Sequence, residues 1–412
     1  MKALRQALSQ RFPAYTAFAA VLSGAGLPIY IFAPKYYADT FGVSLTALGA
    51  VLFGLRLFDV VQDPVLGWIA ERLRNGKAFA VAVGALLLAA SMIGLFAVPP
   101  PIDPLWWFGL MITGLFSAFS FLTISFYAQG IAKVGDRVGG HVQLAAWRES
   151  GALTGICLAA IAPTALMGFT DAPFAAFAWG FAAATLLAAL FMWREWTPAS
   201  VEQAPTPIGA ILSDRLARRL LLLALVNATP LAVSSTLFLF YVESRLDAPG
   251  WEGPLLVLFF LAAAVSSPVW SALARKFGEK PVLLCAMVLA VAAFGWTLTL
   301  GAGDTTAFAV ICVLSGATIG ADLTLLPAMF AKRMAKIAPN GGQGFGLWSL
   351  VSKFTLAFAA VLLLPLLERA GFQAGINNPQ AALTLLTGLY ALVPSVLKIV
   401  AIILLLLTTL EK

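Results

Sequence analysis

The sequence predicts an all-α integral membrane protein with twelve transmembrane helices in two six-helix halves. Three observations lead there. Of 412 residues, 61% are hydrophobic and only 11% are charged, with a mean hydropathy of +0.92, whereas soluble domains carry about 25% charged residues. Apolar runs such as "VAVGALLLAASMIGLFAV" (81–98) are continuous, unlike barrel strands, which alternate polar and apolar over about ten positions. Roughly 250 apolar residues, at about 20 per crossing, supply about twelve helices.

Breaks at proline, glycine and charge clusters place spans at 14–38, 46–70, 77–98, 104–132, 141–168 and 173–193. The second six fall at 215–245, 252–275, 280–301, 305–331, 343–369 and 380–409. The first span follows Lys2, Arg5 and Arg11 and runs beyond twenty residues, longer than the apolar core of a cleaved signal peptide. It is therefore expected to remain as a membrane helix. The polar, proline-rich stretch "REWTPASVEQAPTPIGAILSD" (194–214) reads as a cytoplasmic linker between an N-terminal bundle, 1–193, and a C-terminal bundle, 215–412.

Basic residues orient the chain. With the N-terminus inside, the cytoplasmic segments hold 19 of the 26 lysines and arginines, and the exterior connections hold only Lys35, Arg245 and Arg369. That asymmetry obeys the positive-inside rule and puts both termini in the cytoplasm. The net charge of +7 is thus a topology signal and needs no nucleic-acid partner. The expected setting is the plasma (inner) membrane, as a monomer in the bilayer. Cys157, Cys285 and Cys312 lie in apolar runs without metal-ligand spacing and read as buried small hydrophobes. Trp106 and Trp107 open the fourth span as an aromatic belt. His141, the only histidine, is placed at the membrane surface.

"DPVLGWIAERLRNGK" (63–77) has a counterpart about 204 residues later in "SPVWSALARKFGEK" (267–280). Each is a proline-bearing helix end that runs into a short basic loop. Parallel six-helix repeats about an axis normal to the membrane describe the major facilitator architecture.

The second span carries the chemistry. In "LRLFDVVQDPVLGW" (55–68), Arg56, Asp59 and Asp63 are spaced three and four apart, so all three project from one helix face. Each charge costs at least about 2.5–3.5 kcal/mol at mid-bilayer, so three unpaired ones would cost on the order of 8–10 kcal/mol. They must face the protein interior. Arg56 offsets one carboxylate and leaves one negative charge, which a bound cation would neutralise. The corresponding helix of the second half, "LLVLFFLAAAVSSPVW", has no charge at all, so packing alone does not explain the cluster. A proton or sodium site is the preferred reading, since carboxylate oxygens suit hard cations. A structural ion-pair cluster is the competing one. Gln62 adds an amide oxygen to the same turn. Lys353, the only charge in "SLVSKFTLAFAAVLLL", either balances this site when no cation is bound or snorkels to the interface.

"RLFDVVQDPVLGW" is similar to the helix-2 motif of the glycoside-pentoside-hexuronide:cation symporters, the melibiose-permease-like branch of the major facilitator superfamily. The shared spacing is Arg56, Asp59, Asp63, Pro64 and Gly67. "YYADTFGVS" (36–44), "LAAWR" (144–148), "GADLTLLPAMFA" (320–331) and "SLVSKFTLAFAA" (349–360) also resemble that family, in order, along nearly the whole chain. The resemblance implies cation-coupled symport, with Asp59 and Asp63 as cation ligands, Lys353 close to them and Arg148 in the substrate cavity. Two positions depart from the pattern. Ser23 stands where galactoside carriers have an acidic residue, and Thr123-Ile124-Ser125 replaces Asp-Ile-Pro. A melibiose-like galactoside is therefore not the expected solute.

Candidate substrate residues, chosen by depth, are Tyr30, Thr123, Tyr127, Arg148, Glu149, Asn227, Asp322 and Trp348. Trp147 either stacks on a flat solute group or packs as an interfacial aromatic. Arg148 and Glu149 either meet solute or pair with each other. An enzyme is not expected: the aspartate pair lies on one helix, and neither G-x-S-x-G nor H-E-x-x-H occurs. The expected function is secondary active symport of a small organic solute, sugar or glycoside-like, by alternating access. It needs no cofactor, only a coupling H+ or Na+. The rival is a carrier of lipids or other amphiphiles.

Overall fold

The structure is a computed structural model that describes residues 12–27, 32–73, 76–135, 140–196, 206–372 and 378–409; the regular structure of the described residues is helical throughout. A helix satisfies its backbone within the segment, which is what a bilayer without hydrogen-bonding solvent demands. In chain order the α-helices are α1 (Phe12–Leu27), α2 (Ala33–Phe41), α3 (Leu45–Arg72), α4 (Lys77–Phe96), α5 (Pro104–Val134), α6 (Gly140–Leu166) and α7 (Pro173–Met192). They continue as α8 (Ile208–Ser213), α9 (Arg215–Phe240), α10 (Glu252–Phe277), α11 (Glu279–Gly295), α12 (Thr305–Ile337), α13 (Gly342–Arg369), α14 (Gln380–Thr387) and α15 (Val393–Leu407). Among the described residues, eight helical stretches are long and apolar enough to cross a membrane. The chain is a multi-pass membrane protein.

Several details differ from the sequence expectation. The first expected span holds two described helices, α1 and α2, with residues 28–31 outside the described structure. The expected linker contains α8, because Ile208, Ala210, Ile211 and Leu212 give it an apolar turn whose Ile211 is fully buried. The last span has a π-helical turn, Gly388–Leu392, between α14 and α15. Pro394 follows it, and a proline has no N–H to continue the ordinary ladder. Cys285 is exposed while Cys157 and Cys312 are buried. A lipid-facing helix surface tolerates an apolar side chain without burying it in protein. Trp106 is 74% exposed, but Trp107 turns inward and donates its indole N–H to the Gly94 carbonyl at 2.8 Å.

The chain divides into two compact units. One comprises residues 1–211 with 334–350, the other residues 212–333 with 351–412. The core of the first unit holds Tyr15, Phe18, Tyr37, Phe108 and Phe126, all essentially inaccessible. Within it α1 and α6 approach closely at Gly151 and Gly155, four residues apart, where a Cβ would land on the Thr16 and Ala20 carbonyls of α1. Small residues at this spacing let membrane helices meet backbone to backbone. Lys77, Gln129, Glu195 and Lys133 form one hydrogen-bonded chain that joins α4, α5 and the 3-10 turn after α7. In the second unit Tyr241 stacks on Tyr390 with ring centroids 4.1 Å apart, and its hydroxyl donates to the Thr297 carbonyl at 2.9 Å.

Asp214 caps α9 by accepting from the Ala217 N–H at 2.7 Å, and it also pairs with Arg333 of α12, whose Nε lies 3.0 Å from Oδ1. The hydrogen-bonded guanidinium holds the Asp214 carboxyl below the usual carboxylate range. A depressed folded-state pKa gives stability that is present above the unfolded value of about 3.9 and lost as pH falls through the folded one. Asp214→Asn keeps the cap but not the charge. The melting-temperature gap between wild type and this variant is therefore expected to be open at neutral pH and to close below about pH 4. A gap that stays constant across that range would show that the pair contributes nothing.

Candidate functional site

α3 reverses the usual amphipathic pattern. Phe58, Val61, Val65 and Trp68 are exposed, while Asp59 is 1%, Gln62 8% and Asp63 0% exposed. The apolar stripe faces outward and the polar stripe is enclosed, as a helix with lipid on one side and protein on the other requires. Pro64, inside the helix, follows Asp63 directly, and it removes one rung of the backbone ladder at the acid pair. Ser349 of α13 donates its hydroxyl to Asp63 Oδ2 at 2.6 Å, and Ser117 of α5 donates to Gln62 Oε1 at 2.9 Å.

The same face continues along four-residue steps to Gly67 and Glu71. A Cβ on Gly67 would sit 2.7 Å from the Gly342 carbonyl oxygen, and one on Gly346 would sit 3.1 Å from that of Asp63. Glu71, 3% exposed, accepts from the Gln343 N–H at 2.7 Å and from the Thr206 N–H at 3.2 Å. These contacts group residues 334–350 with the first unit. Sequence reasoning missed Ser117, Ser349 and Glu71, although Glu71 was visible as an acid eight positions beyond Asp63 on the same helical face. Lys353, half-buried, lies four positions beyond Ser349 on α13 and belongs to the second unit. Half-buried Trp348 is the neighbour of Ser349. Tyr30 and the Arg56 side chain lie outside the described residues.

A second cluster in the first unit joins α5 and α6. Arg148 Nε donates to Glu149 Oε1 at 2.9 Å, and the Tyr127 hydroxyl donates to the same oxygen at 3.1 Å. The Arg148 guanidinium lies over the Tyr127 ring, 3.6 Å from its centroid, a stacked cation–π contact. Arg148 Nη2 is buried with no hydrogen-bond partner among the described residues, and so is Thr123 Oγ1, one turn earlier on α5. The cluster is charge-balanced and still holds one guanidinium nitrogen with its N–H donors to spare. Trp147 is not part of it. Its ring packs toward Phe12, centroids 6.5 Å apart, and its carbonyl accepts from the Thr16 hydroxyl at 3.0 Å.

In the second unit, Asn227 of α9 and Asp322 of α12 converge on a residue that sequence reasoning passed over. Lys398 of α15 donates to Asn227 Oδ1 at 2.7 Å and to Asp322 Oδ2. All three residues are at most 6% exposed. The signal was available: Lys398 is a lone charge in an apolar span, and such residues mark functional sites by default.

The family described as MFS/sugar transport protein matches the chain over residues 13–412. Among solved structures, the chain resembles a bacterial homologue of the iron transporter ferroportin with a TM-score of 0.71 and 14% identity, over 97% of this chain and 98% of that one. It also resembles the human organic anion transporter MFSD10 (TETRAN), with a TM-score of 0.63 and 18% identity, over 96% of this chain and 99% of that one. At such identities the structural likeness establishes the fold.

Proposed function

The chain belongs to the MFS/sugar transport protein family and is a membrane transporter, not an enzyme; from that premise we propose that it is a cation-coupled symporter of a small hydroxylated solute. One observation carries the proposal: Asp59 and Asp63 are enclosed on one face of α3, beside the Gln62 amide oxygen and two serine hydroxyls. Two buried carboxylates one helical turn apart repel each other and resist desolvation, and binding of H+ or Na+ relieves both penalties. The bound ion neutralises the site, which lowers the cost of moving it through the occluded state of an alternating-access cycle. Arg148, with its spare donors, and Tyr127 supply the solute contacts in the same unit.

The test is uptake in proteoliposomes of the full chain, with labelled monosaccharides and glycosides under an imposed Na+ or H+ gradient. Each co-transported charge supplies about 2.3 kcal/mol per 100 mV, which corresponds to accumulation of about 50-fold. Accumulation driven by one of the two gradients is the expected result. Uptake that only equilibrates, whatever the gradient, rules out coupling.

One observation favours the amphiphile reading. A groove of about 600 Å³ runs beside α1, α6 and α7, lined by apolar residues that include Ala17, Gly24, Leu158, Ala162 and Phe181. Uptake of a labelled lysophospholipid by the same proteoliposomes, with no sugar uptake, would move that reading to the front.

A further inference from the structure

The second unit contains a cavity of about 70 Å³ lined by Asn227, Ser234, Ser315, Thr318, Asp322, Ser395 and Lys398 together with apolar side chains. It holds several water-sized groups but is much smaller than the roughly 300–1,000 Å³ of a pocket that encloses a whole ligand. It therefore suits one edge of a solute. Its hydrogen-bonding capacity is lopsided. Ser234 donates to the Pro230 carbonyl, Ser315 to Ile311, Thr318 to Ser315 and Ser395 to Ala391, each within its own helix. A hydroxyl has a single donor, so all four are left with acceptor lone pairs only. Asp322 Oδ1 is buried and has no hydrogen-bond partner among the described residues. Against these acceptors the wall offers the Asn227 amide N–H groups and the third N–H of Lys398, whose other two are spent on Asp322 and Asn227.

We propose that this cavity is a subsite for the hydroxyl groups of a neutral polyol, with Asp322 Oδ1 accepting from one hydroxyl and Lys398 donating to a neighbouring one. The subsite rests on the transporter reading above and specifies the chemistry of its solute. A surplus of acceptors calls for an occupant that donates. The Lys398 ammonium, already balancing Asp322, repels a cationic donor, so the occupant is neutral, and hydroxyls are the neutral donors that the solute of the transporter reading carries. Bidentate contact of a fixed carboxylate and ammonium with adjacent hydroxyls also reads ring stereochemistry, because only one arrangement of the two oxygens meets both groups.

The experiment measures binding of D-glucose, D-galactose, myo-inositol and their monodeoxy analogues to the purified full chain by titration calorimetry. The variants are Thr318→Val, which removes one acceptor without changing shape or charge, and Asp322→Asn with Lys398→Met, which keeps the cavity neutral. Wild type is expected to bind one of these polyols and to lose about tenfold affinity for one deoxy analogue. Thr318→Val should weaken the parent several-fold, and the double variant should bind parent and analogue alike. Discrimination in the double variant equal to wild type overturns the subsite and leaves the transporter reading standing. If wild type binds no polyol while its melting temperature still responds to sodium or pH through Asp59 and Asp63, the polyol subsite is overturned and ion coupling survives. If neither response is found, the transporter reading itself fails as a coupled symporter, and the subsite with it.

Discussion

Asp63→Asn is expected to abolish the stabilisation of the protein by its coupling ion. The carboxylate is fully buried and accepts from the Ser349 hydroxyl. Asparagine keeps an acceptor oxygen for Ser349 and sheds the negative charge. An ion present at about a hundred times its dissociation constant stabilises the site it binds by about 2.7 kcal/mol. That gain should register as a rise of several degrees in the wild-type melting temperature and as none in the variant. Asp59→Asn should behave alike, because the two acids occupy one helical face. Melting curves against sodium at fixed pH, and against pH without sodium, separate the two ions. Unchanged ion responses in both variants would make the acid pair a structural feature of α3.

Gly155→Val is expected to prevent folding of the first unit or to destabilise it by about 3 kcal/mol or more. The atom that a Cβ at this position meets is a backbone carbonyl of α1, at Ala20, and the same holds for Gly151 at Thr16. A flexible side chain would swing away; a helix backbone cannot. The two helices would have to separate along the length over which Gly24 also faces Gly155. Gly180 on α7 is the matched control, with nothing within 4 Å of its Cβ position. Alanine there should be neutral or should stabilise by about 0.5–1 kcal/mol through the lost flexibility of glycine. Size-exclusion profiles and melting temperatures in detergent distinguish the cases. A well-folded Gly155→Val protein with unchanged melting temperature would show that α1 and α6 do not need this approach.

Much of the site was legible in the sequence because a membrane exposes its errors. An Asp, Arg or Lys in a run of leucines and valines stands out, and the three-and-four spacing of Arg56, Asp59 and Asp63 gives their common face without coordinates. Asn227 and Asp322 were found the same way. Lys398 was equally visible as a lone charge in the last span but was assigned no role. Glu71 escaped because it lies at the edge of a span, where an acid usually meets solvent. For Trp147 the sequence left solute stacking and packing open: adjacent to Arg148 in sequence, its ring points about 100° around the helix and packs toward Phe12 of α1.

What the sequence determined alone is local. Hydropathy marks which segments prefer lipid, the bilayer forces those segments into helices, and a period of 3.6 residues assigns each charge to a face. Which groups those faces meet was decided by tertiary structure. Lys398 reaches Asp322 across 76 residues and Asn227 across 171, and Glu71 reaches the Gln343 N–H across 272. Partners at such separations depend on how closely and at what rotation the helices pack, and this in turn rests on glycines such as Gly67, Gly151 and Gly155, where the absence of a side chain lets one backbone touch another.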